Sequence, residues 1–135
     1  MSLIKNKKAL ITGGASGIGK IMGKRLLQKG LHTLVIWDVN EKLLEATCNE
    51  FLQMGFHVLP FVVDVMDTGA VIAAAKEVKA AAGKIDILIN NAGIVVGKSF
   101  IDHSHNDIDR TMIINSSACM HITKEFLPAM VEDKN

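Results

Sequence analysis

Short runs of aliphatic and β-branched residues alternate along this chain with longer segments whose apolar positions recur at helical spacing. The short runs, which have the character of buried strands, are residues 8–12, 31–37, 57–63 and 85–89. Strands that alternate with helices are typical of repeated βαβ units around a parallel sheet. The pattern therefore predicts an α/β fold of the Rossmann type, a doubly wound parallel sheet of which this chain supplies the first four strands and their helices.

Residues that favour helix ends separate these segments. Asn40, Asp67 and Ser104 are each placed to cap a helix, and Asp107 follows Ser104 at the spacing of a capping box. Three glycines predict where the first three helices end, namely Gly30, Gly55 and Gly83. The last helix is expected to stop or kink at Pro128, because proline breaks the helical hydrogen-bond ladder.

Apolar stripes predict the buried faces of all four predicted helices. The stripe of the first helix consists of Ile18, Ile21, Met22 and Leu26. The stripe of the last helix runs through Ile108, Met112, Asn115, Cys119, Ile122 and Phe126. Asn115 is thus predicted to be buried, with a backbone partner or an ordered water, because an unpaired buried amide costs about 1–3 kcal/mol.

Pro60 gives a clue to the order of the strands. It lies inside the third predicted strand, where it cannot donate a hydrogen bond to a neighbouring strand. The third strand is therefore expected at an edge of the sheet.

Composition narrows the class of protein. The chain has 135 residues, enough for one domain, and 49% of them are hydrophobic, as in a globular core. The net charge is +1 with no block of like charge, so nothing favours nucleic acid or a membrane surface as a partner. Cys48 and Cys119 lack metal-ligand spacing, and no metal site is expected. Reduced, buried thiols and the absence of a signal or membrane segment predict a cytoplasmic protein.

A glycine-rich turn joins the first strand to the first helix. The pattern is Gly13-x-x-x-Gly17-x-Gly19, where glycines let the backbone approach a diphosphate at the positive end of the helix dipole. Residues 14–20 also read G-x-x-x-x-G-K, as in a P-loop, but Ile21 stands where that motif needs a magnesium-binding hydroxyl. A tight turn without any ligand is the other alternative.

Asp38 ends the second predicted strand, nineteen residues beyond Gly19. This is close to the spacing at which an acidic residue meets the adenosine ribose of a dinucleotide. A carboxylate accepts hydrogen bonds from the ribose hydroxyls of NAD and repels the additional phosphate of NADP. Together with the glycine turn, Asp38 predicts NAD as the cofactor.

The motifs after the four strands together resemble the short-chain dehydrogenase/reductase family. They are the glycine turn, Asp38, Asp64-Val65 and Asn90-Asn-Ala-Gly93, in that order. Residues 34–38 and 126–130 are similar to the branch that contains steroid and retinol dehydrogenases. The resemblance implies strand order 3-2-1-4 for this part of the sheet, which agrees with Pro60 at an edge.

The resemblance also implies roles for individual residues. The diphosphate would be held by Gly13, Ser16, Gly17, Ile18 and Gly19. Asp38 and Val39 would bind the adenosine ribose, and Asp64 and Val65 would flank the adenine. The residues that would pass under the cofactor are Asn91, Ala92 and Gly93, and Asn115 would be the family's catalytic asparagine, which anchors a proton-relay water. For Asn115, a purely structural tie to neighbouring backbone is an equal alternative.

The family's reaction moves a hydride between a nicotinamide and an alcohol or carbonyl carbon, with a tyrosine as acid/base, a lysine and a serine. This chain contains no tyrosine. The expectation is that residues 1–135 are the NAD-binding half of a longer oxidoreductase, inactive alone, which acts on a small alcohol or ketone and forms homo-oligomers as the family does. The alternatives are a non-catalytic NAD-binding module and a module for protein interaction.

Overall fold

The computed structural model describes residues 3–132 as a parallel sheet flanked by helices. The strands are β1 (Lys8–Thr12), β2 (Thr33–Asp38), β3 (Val58–Val62) and β4 (Ile87–Ile89). The helices are α1 (Gly17–Gln28), α2 (Glu41–Gln53), α3 (Thr68–Ala82), α4 (His105–Met112) and α5 (Ala118–Glu132). A 3₁₀ turn at Phe100–Asp102 precedes α4, and a π-helical segment, Ile113–Ser117, joins α4 to α5.

The sheet has the order β3-β2-β1-β4 with every pair parallel, which confirms the predicted Rossmann-type order. Pro60 pairs with Ile36 on the edge strand β3. Val63 N–H donates to Asp38 O on β2, and backbone groups alternate in direction along a strand. The backbone of Pro60, three residues earlier, therefore faces away from β2. The edge position is tolerated because the donor that proline lacks would have pointed outward.

Side chains alternate between the two faces of the sheet, and each face has its own core. On one face Leu10, Val35 and Trp37 pack against α3 and α5. On the other face Ile11 and Ile36 pack against α1 and α2. These residues are at most 1% exposed. Since both faces are covered, β1 and β2 are apolar along nearly their whole length, as a parallel sheet requires.

The predicted buried face of α1 is wrong in part. Ile18 and Ile21 are 72% and 56% exposed, whereas Gly19, Gly23 and Leu27 are buried. A Cβ on Gly23 would lie 2.8 Å from Leu34 Cδ2, so the helix approaches β2 too closely for a larger residue. Glycine rather than isoleucine therefore marks the packed side of this helix.

The last predicted helix is interrupted and also continues further than expected. A π-helical segment, Ile113–Ser117, interrupts the helix. From this segment onward the buried residues are Ile114, Ala118, Ile122 and Phe126, at steps of four. The predicted stripe is correct at Ile122 and Phe126, which are buried, and wrong at Met112 and Asn115, which are exposed. The helix does not stop at Pro128 but continues to Glu132.

The predicted helix caps are confirmed. Asn40 Oδ1 accepts from Leu43 N–H, and Asp67 Oδ1 accepts from Ala70 N–H. Ser104 and Asp107 form a capping box with both reciprocal hydrogen bonds.

Cys48 lies on the buried face of α2, where burial raises the pKa of its thiol to about 11, while Cys119 is only half-buried. Neither of them is in a disulfide. Within residues 3–132, no helix has the length and apolar character needed to cross a bilayer.

Candidate functional site

A cavity of about 330 Å³ opens where the carboxyl ends of the strands meet. Nine of the residues predicted to bind a cofactor line it: Gly13, Ser16, Asp38, Val39, Asp64, Val65, Asn91, Ala92 and Gly93. Four further residues complete the lining, namely Trp37, Val63, Ile94 and Ile114. The loops after all four strands thus converge on one place, as expected for the ligand crevice of an open α/β sheet.

The glycine turn has the backbone geometry that its sequence implies. Gly13 and Gly17 have φ values of +65° and +54°, a region that residues with a Cβ rarely adopt. Gly19 is fixed by space instead, since a Cβ there would collide with the carbonyl oxygen of Gly13 and lie 2.6 Å from Asn91 Nδ2. Gly17, Ile18 and Gly19 do not line the cavity itself; they form the first turn of α1 behind Ser16.

The N-terminus of α1 is left open on the cavity side. Ser16 occupies the N-cap position, but its side chain makes no capping hydrogen bond, and the first turn contains no acidic residue. The first N–H groups of a helix have no partner within the helix and carry partial positive charge. A negatively charged group in the cavity would therefore find donors here.

Asp38 joins the glycine turn to the end of β2. Its Oδ2 accepts from Ala15 N–H at 3.1 Å, and its Oδ1 accepts from Asn40 N–H at 2.9 Å. Each carboxylate oxygen retains a further lone pair for a ligand. Asp38 and the glycine turn accordingly face the same cavity, as the sequence predicted.

The loop after β4 is held against the end of β1 by hydrogen bonds. The Thr12 hydroxyl accepts from Asn91 N–H at 3.1 Å and from Ala92 N–H at 3.0 Å. Asn91 Nδ2 donates in return to the carbonyl oxygens of Thr12 and Gly13, both at 3.1 Å. The role of Thr12 was not predicted, although a polar residue that ends an apolar strand was a signal for it.

One wall of the cavity is apolar. Trp37 and Val63 directly precede the predicted residues Asp38 and Asp64, and Ile114 comes from the π-helical segment. Trp37 is fully buried, and its Nε1–H has no hydrogen-bond partner among residues 3–132. Adjacency could have identified Trp37 and Val63, but no sequence signal identified Ile114.

The structure corrects the expected burial of Asn115. Its side chain is exposed, because the π-helical segment turns Ile114 rather than Asn115 toward the core. It nevertheless has backbone partners: Oδ1 accepts from Ile94 N–H and Nδ2 donates to Ile94 O, both at 2.8 Å. Asn115 thus ties the cavity-lining residue Ile94 to the last helix.

The charges around the cavity are negative. Asp38 and Asp64 line it, and Asp64 Oδ1 accepts from Met66 N–H at 2.9 Å. Over the part of the chain that the structure describes, the lining contains no lysine, arginine or histidine. A phosphate bound here would rely on backbone N–H groups and the helix dipole rather than on a cationic side chain.

Comparison with known proteins places this architecture in a family. Residues 7–135 match the family described as short chain dehydrogenase. The chain is 36% identical to short-chain dehydrogenase/reductase 3 of Bos taurus over 132 residues, 98% of this chain and 44% of that protein. It is 37% identical to estradiol 17-beta-dehydrogenase 11 of Pongo abelii, covering 93% of this chain and 42% of that protein. It is also 37% identical to epidermal retinol dehydrogenase 2 of Homo sapiens, covering 90% of this chain and 40% of that protein.

Solved structures show the same likeness. An NAD⁺-bound xylitol dehydrogenase superposes with a TM-score of 0.90 at 28% identity, over 98% of this chain and 51% of that one. A metagenomic short-chain oxidoreductase in complex with NADP superposes with a TM-score of 0.90 at 27% identity, over 99% of this chain and 61% of that one. The chain spans less than half the length of the curated relatives named above. Because the family match covers nearly every residue of the chain, the protein belongs to the short-chain dehydrogenase/reductase family of oxidoreductases.

Proposed function

We propose that this chain is the cofactor-binding part of an NAD-dependent oxidoreductase, which transfers a hydride between NAD(H) and an alcohol or carbonyl substrate. The observation that carries the proposal is the direct hydrogen bond between Asp38 and Ala15 of the glycine turn. This contact supports the proposal because the carboxylate that would bind the ribose and the helix terminus that would bind the diphosphate then lie at one cavity. A dinucleotide needs both groups at the two ends of its adenosine diphosphate.

The residues present fit such a cofactor. The start of α1 is unobstructed at Gly17, where an added Cβ would meet nothing within 4 Å, and the N-terminus of α1 lacks a side-chain cap. When bound, the nicotinamide would supply the hydride chemistry. The described residues would bind and orient the cofactor, with Asn115 holding Ile94 in place at the cavity wall.

NAD is favoured over NADP by the charges of the site. Asp38 would repel the additional 2′-phosphate of NADP, and the lining formed by residues 3–132 offers no cationic side chain to neutralise it. Asp64 adds a second negative charge on the same side.

Substitution of Asp38 tests this cofactor assignment in the full-length gene product. Asp38→Asn removes the charge but keeps an oxygen that can accept from Ala15 N–H; Asp38→Ala removes both. In calorimetric titrations both variants should lose affinity for NADH relative to NADPH by about tenfold or more, the scale of a hydrogen bond to a charged group. An unchanged preference between the two cofactors would overturn the assignment.

The remaining features of the whole protein are proposed from the family. We propose a small alcohol or ketone as substrate, a homo-oligomeric assembly and a cytoplasmic location, as the resemblance to the family and the sequence led us to expect. The family's acid/base tyrosine would come from beyond residue 135, since these 135 residues contain none. Turnover of an alcohol by the full-length gene product with NAD⁺, monitored at the absorbance of NADH, tests this part.

The absence of tyrosine from the chain favours one second candidate, a non-catalytic NAD-binding module. That protein would bind NADH as tightly as an enzyme does but would oxidise no alcohol. Binding without turnover over a panel of alcohols and ketones would support it. Failure to bind NADH at millimolar concentration would exclude both candidates.

A further inference from the structure

Thr47 is a buried polar residue of α2 that does not line the cavity and yet contacts the glycine turn. Its side chain is 2% exposed among the apolar residues of the helix. Its hydroxyl donates to the carbonyl oxygen of Ala15 at 2.7 Å, across 32 residues of sequence. No motif of the glycine turn includes this residue.

The hydrogen bond from Thr47 to the Ala15 carbonyl also fixes the direction of the Ser16 N–H. The Ala15 carbonyl and the Ser16 N–H belong to one peptide group, which is planar, and the described residues contain no cis peptide bond. In a trans peptide the C=O and the N–H point in opposite directions. A carbonyl held toward α2 by Thr47 therefore directs the Ser16 N–H away from α2, toward the side where Ser16 lines the cavity.

The neighbouring peptide group is held by a different residue. Ala15 N–H donates to Asp38 Oδ2 at 3.1 Å. The backbone of Ala15 is therefore hydrogen-bonded at its N–H to Asp38 of β2 and at its C=O to Thr47 of α2. Ala15 is 2% exposed and cannot reach solvent for replacement partners. Within residues 3–132, the Ser16 N–H itself has no acceptor.

We infer that Thr47 is a positioning residue for the cofactor: through the Ala15–Ser16 peptide group it orients the Ser16 N–H toward the diphosphate. The inference rests on the proposed function, because it assumes that a dinucleotide diphosphate binds at the start of α1. It extends the site to a side chain on α2, behind the turn.

The test compares ligands with and without phosphate on variants of the full-length gene product. Thr47→Val removes the hydroxyl at nearly constant shape, and Thr47→Ser retains it. The matched control is Thr33→Val, since Thr33 is also 2% exposed but its hydroxyl contacts His32 and His57 at the start of β2, at the opposite end of that strand from Asp38. The titrated ligands are ADP-ribose, NADH and adenosine.

Thr47→Val is expected to lower the affinity for ADP-ribose and for NADH by about fivefold to tenfold, the scale of one hydrogen bond, and to leave the affinity for adenosine unchanged. Thr47→Ser should restore the affinity, and Thr33→Val should lower stability without changing affinity. The inference would be overturned if Thr47→Val lowered the affinities for adenosine and ADP-ribose equally, lowered neither, or was not rescued by serine. The proposed binding of NAD to this site would stand in each of these cases. Failure of the unaltered protein to bind NADH or ADP-ribose would overturn the proposed function and the inference together.

Discussion

The Thr12 hydroxyl accepts hydrogen bonds from two consecutive backbone N–H groups, those of Asn91 and Ala92. Because Thr12 is 1% exposed, water cannot replace it readily. Thr12→Val should therefore destabilise the protein by about 1–3 kcal/mol, the cost of leaving buried donors unsatisfied. Thr12→Ser, which keeps the oxygen, should lose markedly less. Urea unfolding of the full-length gene product measures both, and equal losses for valine and serine would show that the hydroxyl is not what holds this loop.

Two glycines offer a matched pair of alanine substitutions. At Gly19 a Cβ would collide with Gly13 O and press on Asn91 Nδ2, whereas at Gly97 it would meet nothing within 4 Å. Gly19→Ala is expected to cost about 1–3 kcal/mol by overpacking and to weaken NADH binding, because it displaces the turn. Gly97→Ala should stay within about 0.5 kcal/mol of the parent. Thermal unfolding and NADH titration check both, and intact NADH affinity in Gly19→Ala would argue against the glycine turn as the binding site.

At the scale of residues, the sequence predicted positions that belong to a motif better than it predicted burial from helical spacing. Asp38, Asn91 and Gly13 line the cavity, whereas Gly17 and Gly19 form the first turn of α1 behind it. Asn115 was predicted to be buried and is exposed. The difference arises because the π-helical segment turns Ile114, rather than Asn115, toward the core. The spacing of apolar residues in the sequence does not reveal such a segment.

Among the helices, α4 has the most complete N-terminal cap. Hydrogen bonds from the Ser104 backbone N–H to the Asp107 carboxylate, together with Lys98 at 3.3 Å, hold the pKa of Asp107 below its usual value of 3.8. A carboxylate whose pKa is lowered by folding stabilises the fold above its unfolded pKa, and this stabilisation is lost as the pH falls through the lowered value.

The capping box should therefore contribute at neutral pH and fade in acid. Asp107→Asn is expected to lower Tm at pH 7, and the difference from the parent should shrink as the pH falls below 3.8. Asp109→Asn, on the exposed surface of the same helix, serves as the control and should change Tm little. A Tm difference for Asp107→Asn that persists unchanged at pH 2 would contradict the role of its charge.

At the scale of elements, capping residues and alternating apolar runs predicted the four strands and the first three helices, but they predicted one continuous last helix where the described residues form α4, a π-helical segment and α5. The bounds of β1 match residue for residue, while β4 is shorter than predicted and begins at Ile87. The predicted face of α1 was wrong in part, and the predicted stripe of the last helix was wrong at Met112 and Asn115 but correct at Ile122 and Phe126. Gly23 lets α1 approach Leu34 of β2, and the π-helical segment turns Ile114 rather than Asn115 toward the core; neither effect leaves a periodic signal in the sequence.

For the whole molecule, the two edges of the sheet differ. Pro60 faces outward on β3 and interrupts any row of donors there, whereas β4 presents Ile87, Leu88 and Ile89, all only partly buried. An apolar edge strand of this kind tends to pair with another strand. Residues 1–135 expressed by themselves should therefore self-associate, which sedimentation at several concentrations would detect. A stable monomer with β4 amides protected from exchange would contradict this expectation.

The central claim concerns where a dinucleotide lies on this sheet, and a crystal structure of the full-length gene product with NAD⁺ tests it most directly. We expect the diphosphate at the N–H groups that begin α1, from Ser16 onward, and the adenosine ribose hydroxyls within hydrogen-bond distance of the Asp38 carboxylate. A cofactor bound elsewhere, or one whose ribose faces away from Asp38, would contradict the account.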